Sequence, residues 1–219
     1  MNKFKTKIAI LAMSFVSFVG VQSASALEGL SIGAAMNLSG FMAMGKETTD
    51  VAGTDQITEE EGAFDASYSS VFVEYAVSDQ FSLGLERHME DITTPTNTNL
   101  KNSSTNTVKA TFKDHTTLYA NINMPYNTYF KLGFNMVDIA TQENLATGGS
   151  YPDVDTHGLT AGLGYNFDAD NGMFIRTEIS VASYDDVSAT NASADGNAQK
   201  VDVTDMMGAT ATIRIGKSF

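Results

Sequence analysis

The sequence predicts an all-β fold, an eight-stranded antiparallel up-and-down transmembrane β-barrel, and three observations carry that prediction. Apolar and other residues alternate with period 2 in eight separate stretches. The connections between the stretches alternate between short turns and long polar segments. The faces opposite the apolar ones are rich in small residues, Gly33, Gly84, Gly133, Gly162, Gly164, Gly208 and Gly216 among them.

A leader precedes the strands. Lys3, Lys5 and Lys7 come before an apolar run of 14 residues, 8–21, and Ala24-Ser25-Ala26 follows it. The run is short of the roughly 20 residues that a spanning helix needs, and the small-residue pattern is a cleavage signal. Residues 1–26 are therefore read as a signal peptide and residues 27–219 as the barrel. Removing the leader takes three of 13 basic residues and none of the 26 acidic ones, which leaves a charge of −16. Nucleic-acid binding is disfavoured at that charge. The absence of Cys excludes disulfides, thiolate metal ligands and Cys nucleophiles, and no cofactor is expected.

The first strand, about 30–44, sets Leu30, Ile32, Ala34, Met36 and Leu38 against Ser31, Gly33, Ala35, Asn37 and Ser39. The second, about 63–77, sets Val71, Val73, Tyr75 and Val77 against Phe72, Glu74 and Ala76. The third begins at Phe81 and places Leu83 and Leu85 opposite Ser82, Gly84 and Glu86. The fourth ends with Leu118, Ala120, Ile122 and Met124, opposite Thr117, Tyr119, Asn121 and Asn123. In the fifth, Phe130, Leu132, Phe134 and Met136 oppose Lys131, Gly133 and Asn135. The sixth runs Leu159, Ala161, Leu163, Tyr165 and Phe167 against Thr160, Gly162, Gly164 and Asn166. The seventh opposes Met173, Ile175, Thr177, Ile179 and Val181 to Phe174, Arg176, Glu178 and Ser180. The last carries Met207, Ala209, Ala211, Ile213, Ile215 and Phe219, opposite Gly208, Thr210, Thr212, Arg214 and Gly216.

Short turns lie at Ser78-Asp79-Gln80, at Pro125-Tyr126-Asn127-Thr128 and over 168–172, where Asn171-Gly172 is a strong hairpin signal. The long connections, about 45–62, 92–106, 140–157 and 184–199, read as solvated loops. Four long connections alternating with three short ones put both termini on the short-turn side, as in bacterial outer-membrane barrels, with that side periplasmic.

Alternation alone does not say whether the apolar face meets a soluble core or lipid. The glycine-rich opposite face does, because an eight-stranded barrel encloses only enough room for side chains. Apolar-face aromatic residues also gather beside the short turns: Tyr75, Phe81, Phe130, Tyr165, Phe167 and Phe219 form one membrane-interface girdle.

A chain that ends in an amphipathic strand with a final Phe219, spaced after Ile213 and Ile215, resembles the small eight-stranded outer-membrane barrels of the OmpA, OmpX and opacity-protein type. The resemblance covers residues 27–219. It implies that the terminal aromatic residue is recognised by the barrel-insertion machinery, and that outer-membrane lipids and lipopolysaccharide surround the wall. No periplasmic domain of the kind some relatives carry is expected after Phe219.

Six charged residues fall on lumen-facing positions: Glu74, Glu86, Lys131, Arg176, Glu178 and Arg214. Glu74 and Arg176 are expected at one height, with Glu86, Glu178 and Arg214 above them and Lys131 lower. Equal acids and bases in a confined space are expected to pair, since an unpaired ion there costs several kcal/mol. Glu86, His88 and Glu90 alternate on the lumen face of the third strand, with His115 on the fourth at similar height. That set is a weak candidate for metal binding or acid–base work. His157 stands at a loop boundary with no nucleophile beside it, so no Ser-His-acid set is expected. Arg87 points outward near the upper edge of the apolar band, where it snorkels or a bulge shifts its parity. The expected function is an envelope-structural and surface-interaction barrel without enzymatic activity, its lumen plugged by the charged network and its surface ligand unnamed. A narrow channel for ions or small solutes is the alternative, and a lipid-modifying enzyme the next.

Overall fold

A computed structural model of the protein describes residues 28–51, 54–101, 104–145, 149–191 and 199–219. The leader and its cleavage point lie outside the described residues. The strands are β1 (Leu30–Val51), β2 (Thr54–Ser78), β3 (Phe81–His88), β4 (Ile92–Thr93), β5 (Asn97–Lys101), β6 (Ser104–Met124), β7 (Thr128–Asn144), β8 (Val154–Asp168), β9 (Met173–Tyr184), β10 (Val187–Thr190) and β11 (Gln199–Ser218).

Eight of these form the wall, in the order β1-β2-β3-β6-β7-β8-β9-β11, and β1 pairs with β11 to close the ring. The short strands extend the wall upward: β4 and β5 continue against β6 above β3, and β10 continues against β11 above β9. Every neighbouring pair is antiparallel. Within the eight-stranded ring every strand has a partner on both sides, which a strand in lipid requires because hydrocarbon offers no hydrogen-bond partner.

The register fixes the size of the barrel. Stepping from Ser31 through the cross-strand partners Glu74, Gly84, Tyr119, Gly133, Thr160, Ala182 and Gly208 returns to β1 at Phe41, a shear of 10 residues. With ordinary strand rise and spacing, that shear gives a tilt of about 40° and a backbone radius of about 8 Å. Side chains fill such an interior.

The two faces differ as lipid outside and packing inside demand. Met36 is 77% exposed, Leu159 69% and Ile179 67%, whereas the inward Tyr129, Asn135 and Phe174 are buried. Outward-facing apolar side chains recur on every wall strand, far more than a water-soluble surface presents. The chain ends meet at the short-turn end, where the amide of Phe219 donates to Leu30 and that of Gly29 donates to Phe219.

The inward glycines stand across the ladder from inward aromatic rings. Gly84 faces Tyr119, Gly164 faces Tyr129, Gly33 faces Phe72 and Gly216 faces Phe174. A Cβ on Gly84 would lie 2.2 Å from the Tyr119 ring, and one on Gly164 would lie 2.1 Å from the Tyr129 ring. The rings lie flat over the glycines and fill the narrow bore.

The strands run further than the apolar alternation. Residues 45–51 of β1 pair with residues 54–60 of β2, so the segment expected as a first loop is mostly a two-stranded ribbon. The second connection contains β4 and β5, the fourth contains β10, and β7 and β8 take up parts of the third. Above the bilayer no lipid demands an apolar face, so period-2 hydrophobicity stops while the hydrogen-bond ladder continues.

Candidate functional site

Two structures share the interior: a layer of ions across the middle, and an apolar cavity above it. The ions come from inward positions of five different strands. At the lower level Glu74 accepts from Arg176 Nη1 at 2.8 Å, Asn121 Nδ2 at 2.8 Å and the Tyr119 hydroxyl at 3.2 Å. At the upper level Lys131 Nζ lies 3.2 Å from both Glu86 Oε2 and Glu178 Oε1. Arg214 joins the same two acids, 2.9 Å from Glu86 and 3.3 Å from Glu178. The Arg214–Glu86 contact is an ion pair without hydrogen-bond geometry. Ser70 donates to Glu86 at 2.6 Å and Tyr129 to Glu178 at 2.9 Å. Each acid is thus surrounded by donors, as a buried carboxylate requires.

The backbone of Lys131 is lower, but its ammonium reaches the upper level. Its Cα is one step nearer the short turns, but its long side chain rises past the Tyr119 ring, 4.5 Å from the centroid, to reach the upper acids. Sequence reasoning did not name Tyr129 or Ser70 for this layer. Tyr129 was legible, because it extends the inward series of Lys131, Gly133 and Asn135 by one step toward the turn.

The His and Glu set comes apart. His88 and His115 pack at a tilt with ring centroids 3.8 Å apart, but the exposed Glu90 lies beyond the end of β3 and accepts from the Ser69 amide and hydroxyl at 2.8 and 2.6 Å. Once pairing stops after His88, the strand parity that placed Glu90 inward no longer applies. No group of three His, Cys, Asp or Glu side chains among the described residues is placed to hold a metal ion. His157 faces outward on β8 and stacks on Phe134 at 5.5 Å, away from the lumen.

Arg87 does point outward, and the bulge lies on the neighbouring strand. The β6–β7 register shifts between Lys113 and Thr116, with Asp114 at φ +55°. The bulged Asp114 forms an ion pair with Arg87, which also donates to the Thr116 hydroxyl at 2.9 Å. The same bulge reverses the inward parity of β6, so that His115 and Thr117 face in below it and Phe112 and Ala110 face in above it. A second register shift, opposite Met42 and Met44, has Asp205 at φ +53° and turns Val201 and Val203 inward on β11.

These reversals build the cavity. It has a volume of about 580 Å³ in the long-loop half, with Phe112, Val137, Ile139, Val203 and Met206 among its walls. Beneath it a polar pocket of about 40 Å³ touches Glu86, Lys131 and Arg214, and it shares Phe41, His115 and Tyr184 with the cavity. The sequence reading did not find the cavity, because it depends on two bulges and on strand extensions that the apolar alternation does not mark.

Tyr75, Phe81, Phe130, Tyr165, Phe167 and Phe219, expected to form a girdle, occupy positions near the short-turn ends of their strands, and Tyr165 and Phe167 pack at 4.6 Å.

No protein-family model matches the chain, and no curated protein matches it. Its fold is similar to that of the outer membrane protein OprG from Pseudomonas aeruginosa, at 16% identity and a TM-score of 0.55, over 85% of this chain and 96% of that one. It is also similar to the outer membrane protein AlkL, solved in lipid bilayers, at 11% identity and a TM-score of 0.50, over 91% of this chain and 94% of that one. The chain has the fold of the small integral barrels of the bacterial outer membrane.

Proposed function

We propose that this protein is an envelope and surface barrel with a sealed lumen, and that it holds a small apolar molecule in the cavity at its outward end. One observation carries the reading: an apolar cavity of about 580 Å³ stands over a lumen crossed by six mutually paired ions. That volume is in the range of small-molecule sites. A barrel that only anchored loops would have no need of apolar walls inside the part that rises above the lipid.

In this reading the long-loop end faces the medium, and both termini, joined at the short-turn end, are periplasmic. Lipids and lipopolysaccharide cover the outward apolar band, and the barrel-insertion machinery recognises β11 through Phe219. The reading includes no enzymatic step. It needs no channel either, since a conduit would require Arg214 and Lys131 to abandon two carboxylates each.

The test is ligand binding by the barrel in nanodiscs. 2-Methylnaphthalene should bind saturably, above its partition into empty nanodiscs, and the double variant Ala110→Phe with Ala189→Phe should lose that binding by narrowing the cavity. Partition equal to that of empty nanodiscs would overturn the reading.

A further inference from the structure

We propose that the floor of the apolar cavity is a recognition site for one hydroxyl group, so that the molecule held there is an uncharged apolar alcohol or phenol. The proposal rests on the cavity-binding reading above and adds the chemistry of the head group. His115 is 8% exposed and lines both the apolar cavity and the polar pocket beneath it. His88 lines the same polar pocket, with its ring centroid 3.8 Å from that of His115. Neither His88 Nδ1 nor His115 Nε2 has a hydrogen-bond partner, although both are buried. Buried polar atoms are paired almost everywhere in folded proteins, so two nitrogens without a protein partner in one pocket are placed to bond a group that enters it.

The chemistry of two imidazoles selects that partner. A neutral imidazole carries one N–H donor and one acceptor nitrogen, so adjacent rings can offer one of each to a shared neighbour. A hydroxyl donates and accepts, and it satisfies both. A carbonyl can only accept, an ammonium can only donate, and a hydrocarbon does neither. An ionised head is disfavoured for a second reason. The three acids and three bases below balance one another, and the cavity above is apolar, so an ion would lose its hydration without gaining a counter-charge.

Aromatic neighbours pack against both rings. Tyr68 packs on His88 at 4.2 Å and Tyr184 meets His115 edge-on at 6.1 Å. The Tyr68 hydroxyl is already engaged by Ser39 at 3.0 Å. The 40 Å³ pocket has room for a hydroxyl but not for a ring, so the apolar body remains among Phe112, Val137 and Ile139.

The experiment compares matched ligands on the wild-type barrel in nanodiscs: 2-naphthol, 2-methylnaphthalene and 2-naphthoate, each followed by its own fluorescence. The chain has no Trp, so excitation beyond tyrosine absorption leaves little protein background. 2-Naphthol should bind about fivefold or more tighter than 2-methylnaphthalene, the effect of a net hydrogen bond, and 2-naphthoate should bind more weakly than 2-naphthol. His115→Phe and His88→Phe should each remove the preference for 2-naphthol over 2-methylnaphthalene. Equal wild-type affinities for 2-naphthol and 2-methylnaphthalene overturn the hydroxyl site and leave the cavity reading standing. Tighter binding of 2-naphthoate overturns the uncharged class, and a preference that survives in both variants overturns the role of the imidazoles. If no ligand binds saturably, both proposals fall. The wild-type comparison decides the matter even if the variants do not insert.

Discussion

Arg176 and Arg214 are directly opposed in the β9–β11 ladder, both pointing into the lumen, yet they share no carboxylate. Arg176 reaches Glu74 at 2.8 Å, whereas Arg214 reaches Glu86 and Glu178. Like charges face to face across a sheet are destabilising. Here the two guanidinium groups diverge to acids at two levels, and each lies over a different phenylalanine, Arg176 over Phe174 and Arg214 over Phe72.

The division of labour predicts unequal couplings. Arg214→Ala leaves two buried acids with only Lys131 between them and should cost roughly 3 to 5 kcal/mol, less if water enters. Arg214→Glu should be worse, and Glu178→Arg beside it should recover part of the loss. In double-mutant cycles Arg214 and Glu178 should couple by about 1 to 3 kcal/mol, whereas Arg176 and Glu178 should couple by less than about 0.5 kcal/mol. Urea titrations in bilayers, read by heat-modifiable gel mobility, measure all of these. Equal couplings would reject the two-level arrangement.

The same variant addresses conduction. If the lumen is sealed as proposed, the wild-type barrel should give no resolved current steps in planar bilayers, since Arg214 and Lys131 pair with Glu86 and Glu178 across it. Resolved steps from the wild type would favour the narrow-channel alternative over a sealed lumen.

Glycine identity should matter where a ring covers it and not where an added carbon meets nothing. Gly84→Ala places a methyl against a Tyr119 ring that is held by Glu74 and Lys131, and overpacking of this kind costs about 1 to 3 kcal/mol. Tyr119→Leu in the same chain should relieve part of it. Gly62→Ala, with nothing within 4 Å of the added carbon, should leave the urea midpoint unchanged.

The bulge at Asp114 joins a backbone demand to a charge demand. Asn tolerates a positive φ nearly as well as Asp, so Asp114→Asn should lose only the ion pair to Arg87, while Asp114→Ala should lose both. Refolding yield and urea midpoint should rank wild type, Asn, then Ala. Ala equal to Asn would mean that the left-handed backbone costs nothing there.

Topology can be read by labelling, since the chain has no Cys of its own. Single cysteines at Asp55 or Ser150 should react with an impermeant maleimide on intact cells, and those at Asp79, Asn127 or Asp170 should react only after the outer membrane is opened. The reverse pattern would place the barrel upside down.

The sequence by itself determined the class, the strand number, the order of long and short connections and the inward or outward direction of nearly every side chain within the bilayer. It could do so because lipid and a narrow bore impose opposite demands on alternate residues, and those demands are written at period 2. The inward direction of Glu74, Glu86, Arg176, Glu178 and Arg214 followed from that alternation alone. Which acid each base takes did not follow, because Arg176 and Arg214 are equivalent in pattern and only the shear of 10 and the side-chain lengths bring each to its partner. Nor did the apolar cavity, since the bulges at Asp114 and Asp205 reverse parity at points where no hydrophobic signal marks the change. A local pattern records the environment on each side of a strand; the alignment of distant strands around a closed ring, which decides what meets inside, is a property of the tertiary structure alone.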